Sequence, residues 1–378
     1  MRLDKHWIWC VCCAVIGMFA TEGVAQTKMP LKYATGFEVA YYPTHKVVTV
    51  LKPWFNAEKA FTYVLVPKGQ KTPDGFDETQ RIEIPIKRLI TTSTTHLPHL
   101  ELLDEINHLV GINDIKYVHS PVINKKFEAG QLAQVGHGAS VDLEKIVSLE
   151  TDLVLTSAIA ETDYNAHPTL IQAGIPVVVN ADYTEPSLLG RTEWIKFMAV
   201  FFNKEKQAEA LFDDIVQKYN AYSARVKNLP LSKRPTVFGG TLWRGTWFMA
   251  GGKTYAAQLI ADAGGRYLWA EDDSHQSLSL DFEVVFEKAQ GADFWIAMSN
   301  DWHTLADLEN TDERYTAFNA FKTGQVFNAN ARMSARGGND YWERGLVEPH
   351  MLLADLVKIF HPDQLPDYQL KYYKKLKR

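Results

Sequence analysis

The chain has 378 residues, 46% of them apolar and 22% charged, with a formal net charge of −5. That length and apolar fraction allow two separate cores and exclude a disordered chain. A mild negative excess offers no general attraction to nucleic acid or to an anionic membrane, so neither is expected as a partner.

Residues 1–25 read as a secretory signal peptide. Arg2 and Lys5 make a charged start, Trp7 to Ala20 is an apolar run of 14 residues, and Gly23, Val24 and Ala25 supply small residues for cleavage. A spanning helix needs about 17–25 apolar residues, so a cleaved signal is expected and an uncleaved membrane anchor is the alternative. Cys10, Cys12 and Cys13 all lie inside it, and none follows a small residue at its end, which argues against a lipid anchor. The mature chain is then expected to be soluble, exported and free of cysteine.

Residues 26–80 form an opening β extension. Phe37, Val39 and Tyr41, then Val48 and Val50, alternate with polar residues, and YVLVP follows, so two or three antiparallel strands are predicted. Lys68 to Asp77 reads as a turn. IEIPIKRLIT reads as the first strand of an α/β lobe covering 81–202. Pro98 then opens a predicted helix with the stripe Leu100, Leu103, Ile106 and Val110, closed by Gly111. LVLTSA and IPVVVNA are short continuous apolar runs, as strands covered on both faces should be.

A connector helix is predicted over 203–228, where Ala208, Leu211, Phe212, Ile215, Val216, Tyr219 and Tyr222 recur at helical spacing. A second lobe, 229–378, opens at RPTVFGG and ends its core with a helix Pro349 to Phe360. The basic tail from Lys371 reads as a frayed end. Two segments echo each other across the connector. SVDLEKIV precedes the run LVL, and SLDFEVVF precedes FWI, each a capped short helix feeding a buried strand. The fold class is therefore α/β, with two similar lobes, a ligand cleft between them and one connecting helix.

Several side chains point to binding. Trp243, Arg244 and Trp247 set two aromatic faces around a cation, and Arg336, Tyr341 and Trp342 do the same in a loop that Gly337 and Gly338 make mobile. With Trp302 they suit a bulky, flat, anionic ligand, since a guanidinium grips oxyanions as a planar fork. Each Trp reads equally well as core. His96 and His99 have metal-ligand spacing, but Pro98 lies between them and no further ligand motif accompanies them, so one cleft-facing His96 is expected and no metal site. AGGKT lacks the first Gly of a phosphate loop, and no catalytic triad can be assembled. Glu144 and Glu283 hold matched positions in the two echoes, pointing off the buried stripe.

The order RLITTSTTHLPHLELLDEINHLVGI, QVGHGASVDLEKIVSLETDLVLTSA, AGIPVVV with its connector, TWFMAGG, FKTGQVFNAN and EPHMLLADLVKIFHPDQL resembles the class III substrate-binding proteins of ABC importers for iron chelates, haem and cobalamin. The resemblance runs from about Arg88 to Leu365. It implies a monomeric periplasmic receptor that needs no cofactor. An iron siderophore, haem or cobalamin would be the cargo, an ABC permease dimer the partner, and Glu144 and Glu283 the docking residues. His96, His137 or Tyr341 could ligate haem iron, though no motif selects one. A tetrapyrrole chelatase on a related fold is the competing reading from another class.

Overall fold

The computed structural model describes residues 27–137, 140–158 and 168–378. The expected signal segment and its three cysteines lie outside them.

Period-two alternation builds the first sheet. Thr27–Lys28, Phe37–Tyr41, Lys46–Val50 and Phe61–Pro67 pair antiparallel in sequence order, and Arg81–Ile84 adds in parallel to Phe61–Pro67. Phe37, Val39, Val48, Val50, Leu65, Ile82 and Ile84 enter the same apolar cluster as Leu89, Leu100 and Leu109. The extension is thus part of the N-terminal lobe's core. The single strand expected through IEIPIKRLIT is corrected here. Pro85 has no N–H for a ladder, so Arg81–Ile84 stays with the extension and Leu89–Thr91 opens the next sheet.

That next sheet is wholly parallel, in the spatial order Val177–Val179, Leu153–Thr156, Leu89–Thr91, Leu109–Ile112, Ala133–Gln134. The helix expected from Pro98 to Val110 is shorter, Leu97–Leu102. Asp104 takes φ +60° and turns the chain out of the helix, which frees Val110 and Gly111 for the second strand.

The C-terminal lobe repeats this order. Val326–Asn328, Phe294–Ala297, Thr236–Gly239 and Arg266–Tyr267 run parallel side by side. They match the strands at 177, 153, 89 and 109 in both chain order and spatial order. The two echoes are the equivalent helices Leu143–Ser148 and Phe282–Ala289, each entering the equivalent strand. The tail is not frayed. Lys374–Lys375 pairs antiparallel with Val326–Asn328, and buried Asp355 accepts the N–H groups of Lys371, Tyr372 and Tyr373 at 2.7–3.0 Å. Tyr372, Tyr373 and Leu376 are buried, so apolar side chains outweigh the basic charge there.

Two consecutive helices cross between the lobes. Leu188–Val200 is buried along its whole length, with Leu188 and Leu189 in the C-terminal core and Trp194 to Val200 in the N-terminal one. Glu205–Ala224 returns, with Ala208 and Phe212 in the first core and Ile215 and Tyr219 in the second.

The buried crossing helix also holds the extension. Glu193 accepts the N–H groups of Lys32, Tyr33 and Ala34 at 2.7–3.0 Å and pairs with Lys196 at 2.9 Å. Removing one partner of a buried pair strands the other charge, at a cost of about 3–5 kcal/mol. Glu193→Ala should therefore lose about that much stability in urea unfolding and speed amide exchange at residues 32–34.

Candidate functional site

In an open parallel sheet, ligands collect where strands end and their loops splay apart. In the N-terminal lobe a cavity of about 270 Å³ lies at the ends of Leu89–Thr91 and Leu109–Ile112. Thr91, Thr92, Ser93, Thr94, Asn113 and Tyr117 are among its lining, with Leu97 and Val118 on the apolar side. The sequence TTSTT thus becomes a wall of hydroxyls.

Behind it, a close-packed cluster of buried polar side chains, here the chamber, joins both lobes. Arg191, on the crossing helix, donates to Asp182 Oδ2 from Nη2 at 3.0 Å and lies 4.9 Å from the ring centre of Tyr255, a C-terminal-lobe residue. Tyr373 donates to the hydroxyl of Tyr341 at 3.4 Å. Burial holds the Tyr341 phenol well above its usual range, so it stays protonated. His96 and His99 complete the chamber and are fully buried. Burial lowers both imidazoles to about 4, which keeps them neutral near pH 7. His96 Nδ1 lies 2.7 Å from Thr91 Oγ1, while His96 Nε2 and both nitrogens of His99 have no hydrogen-bond partner among the described residues. Three buried, unpaired ring nitrogens are costly unless something else binds them.

In front, the lobes meet in a polar clasp. Glu343 of the C-terminal lobe accepts the N–H groups of His119 and of Ser120, the latter at 3.0 Å. Ser334 Oγ donates to Val118 O at 3.1 Å, Arg336 pairs with Glu128 at 3.1 Å, and Arg344 pairs with Glu101. A Cβ on Gly338 would stand 2.3 Å from the Val118 carbonyl carbon, so only glycine fits. Burial pushes Glu343 up to about 7. Burial works the same way on Asp340, but the hydrogen bond and charge of His119 and the nearby Arg332 hold it below its ordinary value.

The expected site residues divide sharply. His96 and Tyr341 line the chamber, and Trp342 stands edge-on to Tyr341 at 4.9 Å between centroids. Arg336 serves the clasp, and of the two loop glycines Gly338 packs against Val118 while Gly337 stands open. Trp247 and Trp302 are core. Their rings pack on Trp295 and Tyr315, and their indole N–H groups donate to Gly239 O and Thr311 Oγ1. Arg244 has φ +49° and Gly245 φ +85°, making them the turn of a hairpin between Thr241–Trp243 and Thr246–Ala250. Its guanidinium lies 4.5 Å from the ring centre of Trp243, which is 59% exposed. The pair is a solvated hairpin tip. His137 is also exposed, 3.6 Å from Asp114. Glu144 and Glu283 are both exposed and are each the second residue of equivalent helices, which follow Asp142 and Asp281 at the N-cap position, where only Asp142 accepts a capping N–H. These helices run back against the strands, which puts both glutamates on the cleft side of the sheets. Glu283 shares Arg314 at 3.4 Å.

Sequence reasoning missed Asp182, Arg191, Tyr255, His119, Asp340 and Glu343. One signal was available for Arg191, because GRTEWIK sets ions inside an otherwise apolar helical run.

Two matched α/β lobes bridged by helices, with a polar chamber between them, define a two-lobe binding protein. The chain belongs to the periplasmic binding protein family, whose profile matches residues 89–333. An uncharacterized lipoprotein of Methanocaldococcus jannaschii is 24% identical over 366 residues, 91% of this chain and 85% of the relative. The fold is similar to the molybdate periplasmic binding protein MolA of Haemophilus influenzae (TM-score 0.59, 17% identity, 78% of this chain and 93% of that one). It is also similar to the periplasmic heme-binding protein RhuT of Roseiflexus (TM-score 0.53, 17% identity, 74% and 99%). No described helix is long and apolar enough to cross a membrane.

Two outcomes test the chamber. Arg191→Met should destabilise by about 3–5 kcal/mol because it strands Asp182, and adding Asp182→Asn should recover most of that loss. The lowered histidines set a pH window. Unfolded imidazole takes up protons below about 6.5, while buried His96 and His99 resist until about 4. Stability from this source is complete above 6.5 and is lost as pH falls toward 4, by about 3 kcal/mol per histidine. His99→Gln should flatten that part of the curve in urea titrations at stepped pH. An unchanged slope would show that the imidazole already charges in the folded chain.

Proposed function

We propose that the protein is an exported periplasmic receptor that captures a metal chelate between its lobes and hands it to an ABC importer permease, with no bond made or broken. A ferric siderophore or haem is the favoured cargo, and cobalamin is the alternative of the same type. The observation that carries this reading is the chamber. The Arg191–Asp182 ion pair, two tyrosines and two neutral imidazoles with unpaired nitrogens cluster there from both lobes. Asp182 already answers the charge of Arg191, so the groups left for a ligand are the unpaired imidazole nitrogens, which can ligate a metal or donate to an oxygen, with Tyr255 and Tyr341 beside them. The similar fold of the heme-binding protein RhuT supports cargo of this kind.

The matched glutamates support the delivery step. A permease dimer would present two equivalent cation clusters, and Glu144 and Glu283 are equivalent points on equivalent helices. Exposed ion pairs are often worth less than ~1 kcal/mol, so one substitution can be nearly silent. The double variant Glu144→Ala/Glu283→Ala should lose most uptake in cells and keep its ligand affinity in vitro. Undiminished uptake would remove the docking role.

Titrating the purified chain with haemin and with ferric siderophores tests the cargo. Saturable binding below micromolar is expected for at least one of them. No response to any chelate, with tight binding of a molybdate-like oxyanion instead, would overturn the chelate reading. Gly338→Ala should weaken binding at least tenfold, because the added methyl holds the clasp apart while every chamber group is retained.

A further inference from the structure

The clasp contains groups that the capture reading does not use. Among the described residues, His119, Asp340 and Glu343 form a set of three metal-type donors with ligand atoms within 4.8 Å of one another. His119 Nδ1 is 3.1 Å from Asp340 Oδ1. Two donors bound to one zinc ion at about 2.0–2.2 Å from it lie roughly 3.0–3.6 Å apart, so the His–Asp edge already has the spacing of a coordination edge. Glu343 has a ligand atom within 4.8 Å of both and joins them by moving inward.

The charge balance points the same way. Asp340 is 2% exposed and has Arg332 Nε at 2.6 Å from Oδ2, which answers its charge. Glu343 is equally buried, and its oxygens accept only backbone N–H groups, from His119 and Ser120. No ion pair answers Glu343 among the described residues. A cation held at this point would answer the charge of Glu343.

We propose that His119, Asp340 and Glu343 bind a divalent transition-metal cation of the zinc or manganese type across the two lobes. One imidazole and two carboxylates suit such ions, with water completing the shell, and the imidazole disfavours calcium and magnesium. The cation takes the place of the proton shared between His119 and Asp340, leaving Arg332 in its position. His119 belongs to the N-terminal lobe, and the two acids belong to the C-terminal lobe. A cation that needs all three donors binds only the closed arrangement and therefore stabilises it. The site is separate from the chamber of His96, His99 and Arg191, and it stands whether or not the cargo is a chelate.

The test uses the full chain stripped with EDTA and titrated calorimetrically with zinc chloride and with manganese chloride, without cargo. One equivalent of at least one ion should bind below about 10 μM, a concentration that raises Tm measurably once ion is in excess. Amide exchange should slow at residues 118–120 and 338–344. His119→Gln and Glu343→Gln should each weaken binding at least tenfold. If Glu343→Gln fails to fold, His119→Gln and Asp340→Asn decide, with amide exchange reporting where the ion sits. Binding that survives these variants would mean an adventitious ion only, at a surface pair such as His137 and Asp114, and would overturn the proposal. Absence of binding up to millimolar ion would overturn it as well. Failure of the haemin and siderophore titrations would count against the cargo reading alone, because neither probe offers a free divalent ion.

Discussion

Everything in this molecule depends on ions held in a dry helix. Leu188–Val200 passes through both cores and carries Arg191, Glu193 and Lys196, all at least 95% buried. An unpaired ion there would cost far more than the roughly 1.5–3 kcal/mol gained by burying each apolar neighbour. Each ion is therefore matched, and each match fixes another part of the chain. Arg191 fixes Asp182, just beyond the last strand of the N-terminal sheet. Glu193 fixes residues 32–34, and Lys196 Nζ donates to Pro30 O at 3.0 Å. Glu185 adds the N–H groups of Thr35 and Gly36 and the indole of Trp194. Thr192 Oγ1 donates to Leu346 O at 2.9 Å, tying in the C-terminal lobe. Apolar burial alone would leave the helix free to rotate or slide. The ion contacts allow one rotation and one register.

The same contrast decides where the lobes part. The crossing helices bury Trp194, Phe197, Phe212 and Tyr219, whose exposure would cost several kcal/mol in total. The clasp is made of hydrogen bonds and ion pairs that water can replace, each worth about 1 kcal/mol net. Separating the lobes at residues 118–120 and 332–344 would therefore cost less than unpacking the helices.

Much of this was legible in the sequence wherever a pattern was local. The helix Pro349–Phe360, the two echoes and the apolar strand runs have the period that their elements require, and Asp142 caps the first echo. Misses came where a local pattern has two uses. An aromatic residue next to an arginine reads as a binding loop, yet Trp247 follows a tight turn in a hairpin whose inner face is core. The tail KYYKKLKR reads as charge, yet two tyrosines and a leucine decide its position. The helical stripe through Leu100 and Leu103 continues in sequence into Ile106 and Val110, and only the left-handed turn at Asp104 breaks it. The chamber was hidden for a different reason. Its residues come from positions 96, 99, 182, 191, 255, 341 and 373, and no spacing rule connects them.

The duplication explains which features are symmetric and which are not. Four strands share one order in both lobes, and the helices bearing Glu144 and Glu283 occupy one slot between them. The loops that follow the first strand differ. In the N-terminal lobe, TTSTTH runs directly into a helix and lines a cavity with hydroxyls. In the C-terminal lobe the same connection is extended into the hairpin Thr241–Ala250, which carries Trp243 and Arg244 out to solvent before the equivalent helix Tyr255–Asp262 begins. A dimeric partner sees two copies of one surface and favours keeping the helix slot unchanged. A single small ligand has no such symmetry and is better held by unlike groups from each side. In this chain the helix slot is the same in both lobes, and the connections after the first strand are where the lobes differ.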